Sequence, residues 1–210
     1  SLIFLLSFIS SRFKEKYEQF KNQIYPNTIT SSSDAFKICF VALSGGEVTQ
    51  IVQLINSLFQ VKSNIEVIAL IGPDEGIVNS LSQRINGDII VSILPVDIDF
   101  SCRQFVKKNK PNLMIFVENV YSPILAKVSH EMGIKNILLS GLIREQTKDH
   151  PIYRRAFGLQ FEKYIDHFYV KSDLDIPLLS DRGIGDEHIT VSGNLKYSDS
   201  KNDITNISSD

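Results

Sequence analysis

Ile38-Cys-Phe-Val-Ala-Leu43, then Ser44-Gly-Gly-Glu47, then Val48, Ile51, Val52, Ile55 and Leu58 at helical spacing, is the stretch that decides the fold. An unbroken apolar run closed by a turn signal suits a strand buried on both faces of a parallel sheet. The paired glycines let the backbone bend sharply. The apolar positions beyond them fall on one face of a helix. Strand, tight bend and helix together make the first half of a βαβ unit.

Outward from there the pattern repeats. Apolar runs of strand length recur at Ile65–Ile71, Ile89–Leu94, Leu113–Val117, Ile137–Leu139, His167–Val170 and Ile189–Val191. Segments between them carry helical periodicity: Ile124, Leu125, Val128 and Met132 share a face, and Gly133 stands where that helix should stop. The alternation predicts one α/β domain over residues 36–199, a Rossmann-like, mainly parallel, doubly wound sheet with right-handed crossovers. Such sheets bind ligands outside the carboxyl ends of their strands. The loops to inspect are therefore Ser44–Glu47, Gly72–Glu75, Pro95–Asp99, Glu118–Pro123, Ser140–His150 and Ser192–Tyr197.

Composition narrows the class. The chain has 210 residues, 43% of them hydrophobic, enough for one full core and too few for two. With 22 basic and 24 acidic residues it has a net charge of −2, so a general nucleic-acid binder is not expected and any anion site must be local. Cys39 and Cys102 lie apart inside apolar runs and read as buried free thiols. His130, His150, His167 and His188 show no metal-ligand spacing, so no metal is predicted.

The ends read differently. Leu2–Ile9 is strongly apolar but short of the roughly 20 residues that span a bilayer. Arg12, Lys14 and Lys16 come next, and basic residues beside an apolar segment favour the cytoplasmic side. Residues 1–11 are either a membrane-associated segment, the remnant of a longer anchor, or a helix docked on its own domain. Residues 12–35 read as a polar helix, Phe13–Ile24, and a linker; residues 200–210 read as a disordered tail.

Chemistry gathers first at Ser44-Gly-Gly-Glu47. A helix start offers unpaired N–H groups and a partial positive charge, and a carboxylate there is placed to take a proton from a bound hydroxyl. The structural alternative is that Ser44 caps the helix while Glu47 complements its dipole. The catalytic reading requires Glu47 to look into an open crevice beside basic side chains. A dinucleotide fingerprint, G-x-G-x-x-G, is absent.

Five spaced segments together carry a family resemblance. They are Ala42-Leu-Ser44-Gly-Gly46-Glu47, Leu94-Pro95-Val-Asp97, Lys110-Pro111-Asn-Leu113, Glu118 to Pro123, and Gly193-Asn194-Leu195-Lys196. In this order, across about Phe36 to Asp199, the chain resembles the amino-terminal half of the bacterial 3-deoxy-D-manno-octulosonic acid (Kdo) transferases. The resemblance implies one half of a GT-B glycosyltransferase at the cytoplasmic face of the bacterial inner membrane. Such an enzyme moves Kdo from its co-substrate CMP-Kdo to a lipid A precursor, with no metal and no further cofactor. Carried over to this chain, Glu47 is the general base, and Ser44, Gly45 and Gly46 line the acceptor pocket with Glu118 and Glu145. A phosphorylated glycolipid also calls for cations, for which Arg144, Lys148, Arg154, Arg155 and Lys196 are candidates. Arg154 and Arg155 equally suit a solvated helix face, and Asn194 equally suits an Asx turn.

The chain departs from the family in three ways. Glu-x-Glu-Leu-Trp-Pro becomes Glu118-Asn-Val120-Tyr-Ser122-Pro123, with the second acid and the Trp replaced. The run after the fifth strand reads Ser140-Gly-Leu142-Ile-Arg144-Glu145-Gln146, with two arginines replaced. The donor-binding domain is missing from the sequence. A half-cleft cannot align donor with acceptor, so this chain alone is expected to be inactive, its partner half supplied in trans or lost. A non-catalytic glycolipid-binding module, or another small-ligand-binding Rossmann-like domain, is the competing expectation.

Overall fold

A computed structural model describes residues 11–26, 34–61, 63–72, 75–120, 122–141, 143 and 161–195. Helix α1 is Ser11–Ile24. Next in the chain come β1 Phe36–Ala42, α2 Gly45–Val61, β2 Ile65–Ile71, α3 Glu75–Arg84, β3 Ile89–Ile93, α4 Asp99–Asn109, β4 Leu113–Val117, α5 Pro123–Glu131 and β5 Lys135–Gly141. A short 3-10 turn, Phe161–Tyr164, precedes β6 His167–Val170, α6 Asp175–Ser180 and β7 Ile189–Val191. The strands form one sheet in the order β3-β2-β1-β4-β5-β6-β7, with every pairing parallel. The doubly wound expectation holds, and the order reverses between β1 and β4.

Alternation along β1 feeds both faces. Ile38, Phe40 and Ala42 join Val48, Ile51, Val52 and Ile55 of α2 and Leu81 of α3 in one apolar layer. Cys39 and Val41 join Cys102, Phe105 and Val106 of α4 and Leu125, Ala126 and Val128 of α5 in the other. Each fully buried Phe or Ile contributes roughly 1.5–3 kcal/mol relative to exposure. Both cysteines are free and buried.

Strand β5 is longer than Ile137–Leu139 because Asn136, polar in sequence, is fully buried and satisfied. Its amide donates to the Ala126 and Tyr164 carbonyls, and its carbonyl oxygen accepts from the Ser129 hydroxyl. Two of the resemblance motifs turn out to be architectural. Lys110 takes a left-handed turn (φ 47°) to end α4, and Asn112 then clasps Lys37 by backbone and side chain, which registers β4 against β1. Asp97 accepts from the Ser122 hydroxyl and from the Ile124 and Leu125 amides at 3.1 Å, capping α5 from the loop after β3.

Helix α1 docks on the domain. The Gln23 carbonyl accepts from the Val96 amide and the Ser101 hydroxyl, Lys108 donates to the Pro26 carbonyl, and Tyr25 meets Phe100 edge-on. No helix among the described residues is long and apolar enough to cross a membrane. The apolar stretch before Ser11, the linker centre at 27–33 and the tail from residue 196 lie outside the described residues.

Candidate functional site at the carboxyl edge of the sheet

Four strand ends and one helix build the site. After β1 the chain turns through Leu43 and Ser44 into α2. Glu47 Oε2 accepts from the Leu43 amide at 2.6 Å and the Ser44 amide at 3.3 Å, while the Glu47 amide donates to Ser44 Oγ at 3.2 Å. This reciprocal exchange is a capping box. It explains why a carboxylate sits three residues after a serine at a helix start. Glu47 is 2% exposed, whereas Ser44, Gly45 and Gly46 are exposed. The expectation of a carboxylate open to a crevice is corrected here: the backbone amides of its own turn draw the side chain inward. Glu47 forms no ion pair among the described residues.

Across the reversal point, Glu118 is the first residue beyond β4. Its Oε1 accepts from Gln50 Nε2 at 2.7 Å and from Lys171 Nζ at 2.8 Å. The Glu118 side chain keeps 15% and that of Lys171 20% of its surface in solvent. Gln50 lies one turn after Glu47 on α2, and Lys171 is the first residue beyond β6. The carboxylate thus joins three elements: the helix after β1 and the ends of β4 and β6.

The backbone is unusual at the same place. Glu118 (φ 58°) and Ser140 (φ 50°) both occupy the left-handed region. Side chains other than glycine rarely adopt it, at a cost on the order of 1 kcal/mol or more each. Val117 pairs with Leu139, the Glu118 amide donates to the Leu139 carbonyl, and the register between β5 and β6 shifts between Leu139 and Gly141. Ser140 is therefore the bulged residue between the strands that carry Glu118 and Lys171. Two buried polar atoms of these elements, Gln50 Oε1 and Ser140 Oγ, have no hydrogen-bond partner among the described residues.

Of the residues singled out from sequence, the structure brings together Ser44, Gly45, Gly46, Glu47 and Glu118 along this edge. Arg144, Glu145, Lys148, Arg154, Arg155 and Lys196 lie outside the described residues. Sequence reasoning misses Gln50 and Lys171. The loop after His167–Val170 is not among the loops it selects, although a charged residue directly past a strand's carboxyl end is a usable signal. Gln50 lies off the Val48, Ile51, Val52 and Ile55 face of α2, so periodicity gives no signal for it. No group of His, Cys, Asp and Glu that could hold a metal occurs among the described residues.

Comparisons with known proteins agree with this architecture. The curated bifunctional glycosyltransferase/methyltransferase of Fusobacterium nucleatum is 25% identical over 188 residues, covering 88% of this chain and 29% of its own length. The UDP co-structure of Staphylococcus aureus MnaA superposes with a TM-score of 0.59 at 15% identity, over 79% of this chain and 47% of that one. The UDP-GlcNAc 2-epimerase of Neisseria meningitidis, bound to UDP-GlcNAc, gives 0.59 at 16% identity, over 81% and 52%. At these identities the two structures establish the fold, a Rossmann-like GT-B half, and the chain spans about half of each. Residues 11–199 match the family described as 3-deoxy-D-manno-octulosonic-acid transferase (kdotransferase). The chain belongs to that glycosyltransferase family.

Proposed function

We propose that this chain is the acceptor-side domain of a Kdo transferase, receiving a lipid A precursor while a donor-binding half presents CMP-Kdo. The observation that carries the reading is the family match over residues 11–199, which includes the Ser44–Glu47 turn on the ligand edge. In this reading Glu47 becomes the general base only once its surroundings open, since the capped, 2% exposed carboxylate faces no open crevice. The Leu43 and Ser44 amides steady Oε2, and Oε1, which takes no hydrogen bond within the described structure, receives the acceptor hydroxyl's proton as the hydroxyl attacks the anomeric carbon. The buried carboxylate must be uncovered when the acceptor seats. Arg144, Glu145, Arg154, Arg155 and Lys196 remain proposed contacts of the acceptor, its phosphates included.

The reading places the domain on the cytoplasmic face of the bacterial inner membrane. Phe20, Tyr25, Ile98 and Phe100 are each 43–53% exposed where α1 meets α4, and Lys16 and Lys21 on α1 are exposed too. Apolar side chains fringed by lysines suit an anionic lipid surface. In this reading transfer needs both halves of the cleft, because donor and acceptor must be aligned.

A donor-binding half added in trans, with CMP-Kdo and a lipid A precursor, tests the proposal. Transfer abolished by Glu47→Gln supports it; transfer unaffected by that change removes Glu47 as base. The capped state of Glu47 favours a second reading, a glycolipid-binding module without catalysis. That reading expects precursor binding unchanged by Glu47→Gln and no transfer with any donor half.

A further inference from the structure

We infer that Asn86 is a site of spontaneous covalent modification: its side-chain amide closes on the Gly87 nitrogen and is lost as ammonia, leaving a carboxylate in the turn between α3 and β3. The inference is independent of the acceptor-domain reading. Asn86-Gly87 is the only Asn-Gly pair in the chain, and both residues are exposed. Being adjacent in the backbone, they keep electrophile and nucleophile within reach of ring closure. Neither the Asn86 side-chain amide nor the Gly87 N–H takes a hydrogen bond among the described residues. Glycine also has no side chain to shield its nitrogen. The Gly87 nitrogen loses its proton to hydroxide and bonds to Asn86 Cγ, while Nδ2 takes a proton from water and leaves as ammonia. Water then opens the succinimide at either carbonyl. One opening yields aspartate; the other yields isoaspartate, whose main chain runs through the former side chain and gains a methylene. No oxidant, reductant or enzyme takes part.

Packing explains why so labile a pair stands here. A Cβ at residue 87 would lie 2.7 Å from Phe59 Cδ2 and 2.8 Å from Phe59 Cε2, closer than a packed interior allows. Glycine is therefore required beneath the ring. The same turn ties α3 to α2: Asn56 Oδ1 accepts from the Asn86 amide at 2.8 Å, and Asn56 Nδ2 donates to the Arg84 carbonyl at 3.1 Å. That clasp restrains the backbone that must bend for ring closure, so it slows the reaction without blocking either reacting group. The extra methylene of isoaspartate falls between Ile85, buried in the apolar layer under α2, and Ile89, which pairs with Val67 at the start of β3. The new carboxylate also stands beside Asp88. Modification therefore loosens the corner where α2, α3 and the edge strand meet.

The test incubates the full folded chain in mildly alkaline buffer and follows it by peptide mass spectrometry, ammonia release and an isoaspartate assay. The expected result is an amide-to-acid mass change that appears first in the peptide holding residue 86, with a rate that rises in proportion to hydroxide and with isoaspartate among the products. Asn86→Ser, which has no amide to lose, should abolish that change and leave melting unaltered, since the Asn86 side chain holds nothing. Asn56→Ala frees the turn and should speed conversion about fivefold, the factor that one net hydrogen bond carries. The converted chain should melt a few degrees below the fresh one. A synthetic peptide of residues 83–90 provides the unrestrained rate. Conversion in that peptide while the folded chain keeps its mass at residue 86 overturns the inference, because the fold then protects the pair. Conversion that begins at another asparagine, or an unchanged rate in a folded Asn56→Ala chain, overturns it as well.

Discussion

Two carboxylates stand at neighbouring strand ends and do opposite things. Glu47, after β1, is held by backbone amides and hidden; Glu118, after β4, is held by side chains and partly open. The difference lies in how soon a helix begins beyond each strand. One starts at Gly45, so its unpaired amides take up the nearby acid. Beyond β4 the chain turns left-handed at Glu118 and the next helix waits until Pro123, so no helix start claims that acid. Asp97 takes the amides of that later helix instead. Helix caps and ligand edges compete for the same carboxylates, and the distance from strand end to helix start decides the winner.

The largest effect is expected at Asp97. Asp97→Ala strips the cap from α5 and leaves the Ser122 hydroxyl and two amides unpaired, a loss of about 3 kcal/mol measured by urea unfolding. A loss below about 1 kcal/mol would show that this carboxylate does not belong with the cap-forming group.

Glu47→Ala should cost about 2 kcal/mol by the same measurement, since two amides lose their acceptor, while Glu47→Gln keeps an acceptor and should cost about half as much. Equal stability of Glu47→Ala and the unaltered chain would dissolve the contrast with Glu118. Glu118→Gly sharpens it from the other side: relief at φ 58° offsets the lost ion pair, so stability should change by less than about 1 kcal/mol.

The smallest effect belongs to Asp99, whose hydrogen bond from Arg103 holds its carboxyl below the usual range. A depressed carboxylate stabilises the fold above its ordinary pKa, and that contribution fades as pH falls through the lowered one. Asp99 is 59% exposed, so screening limits the contribution to about 0.3–0.5 kcal/mol. Asp99→Asn should match the unaltered chain in strong acid and fall short of it near neutrality by about that amount in urea melts.

Much of the architecture is legible in the sequence because apolar runs in parallel strands are continuous. Ile65–Ile71, Leu113–Val117, His167–Val170 and Ile189–Val191 have the same bounds in sequence and structure. Strand β5 is clipped in the sequence reading because Lys135 and Asn136 break the apolar run, and only the partners of Asn136 show why a buried amide is tolerated there. The Ser44–Glu47 turn is legible as a place. Its burial is not, because the spacing fits a cap and a base equally well. Lys171 and Gln50 are illegible as a pair: they are far apart in the chain, and only the sheet order brings both to Glu118.

The two thiols supply an internal clock for the domain. Cys39 in β1 and Cys102 in α4 share one apolar layer, and burial raises the pKa of both well above that of a free thiol. Neither reacts with an alkylating reagent until something parts. Lifting α4 bares Cys102, which it carries, and opens the layer that covers Cys39. Labelling of the pair therefore reports opening of this one face of the sheet, without any engineered probe.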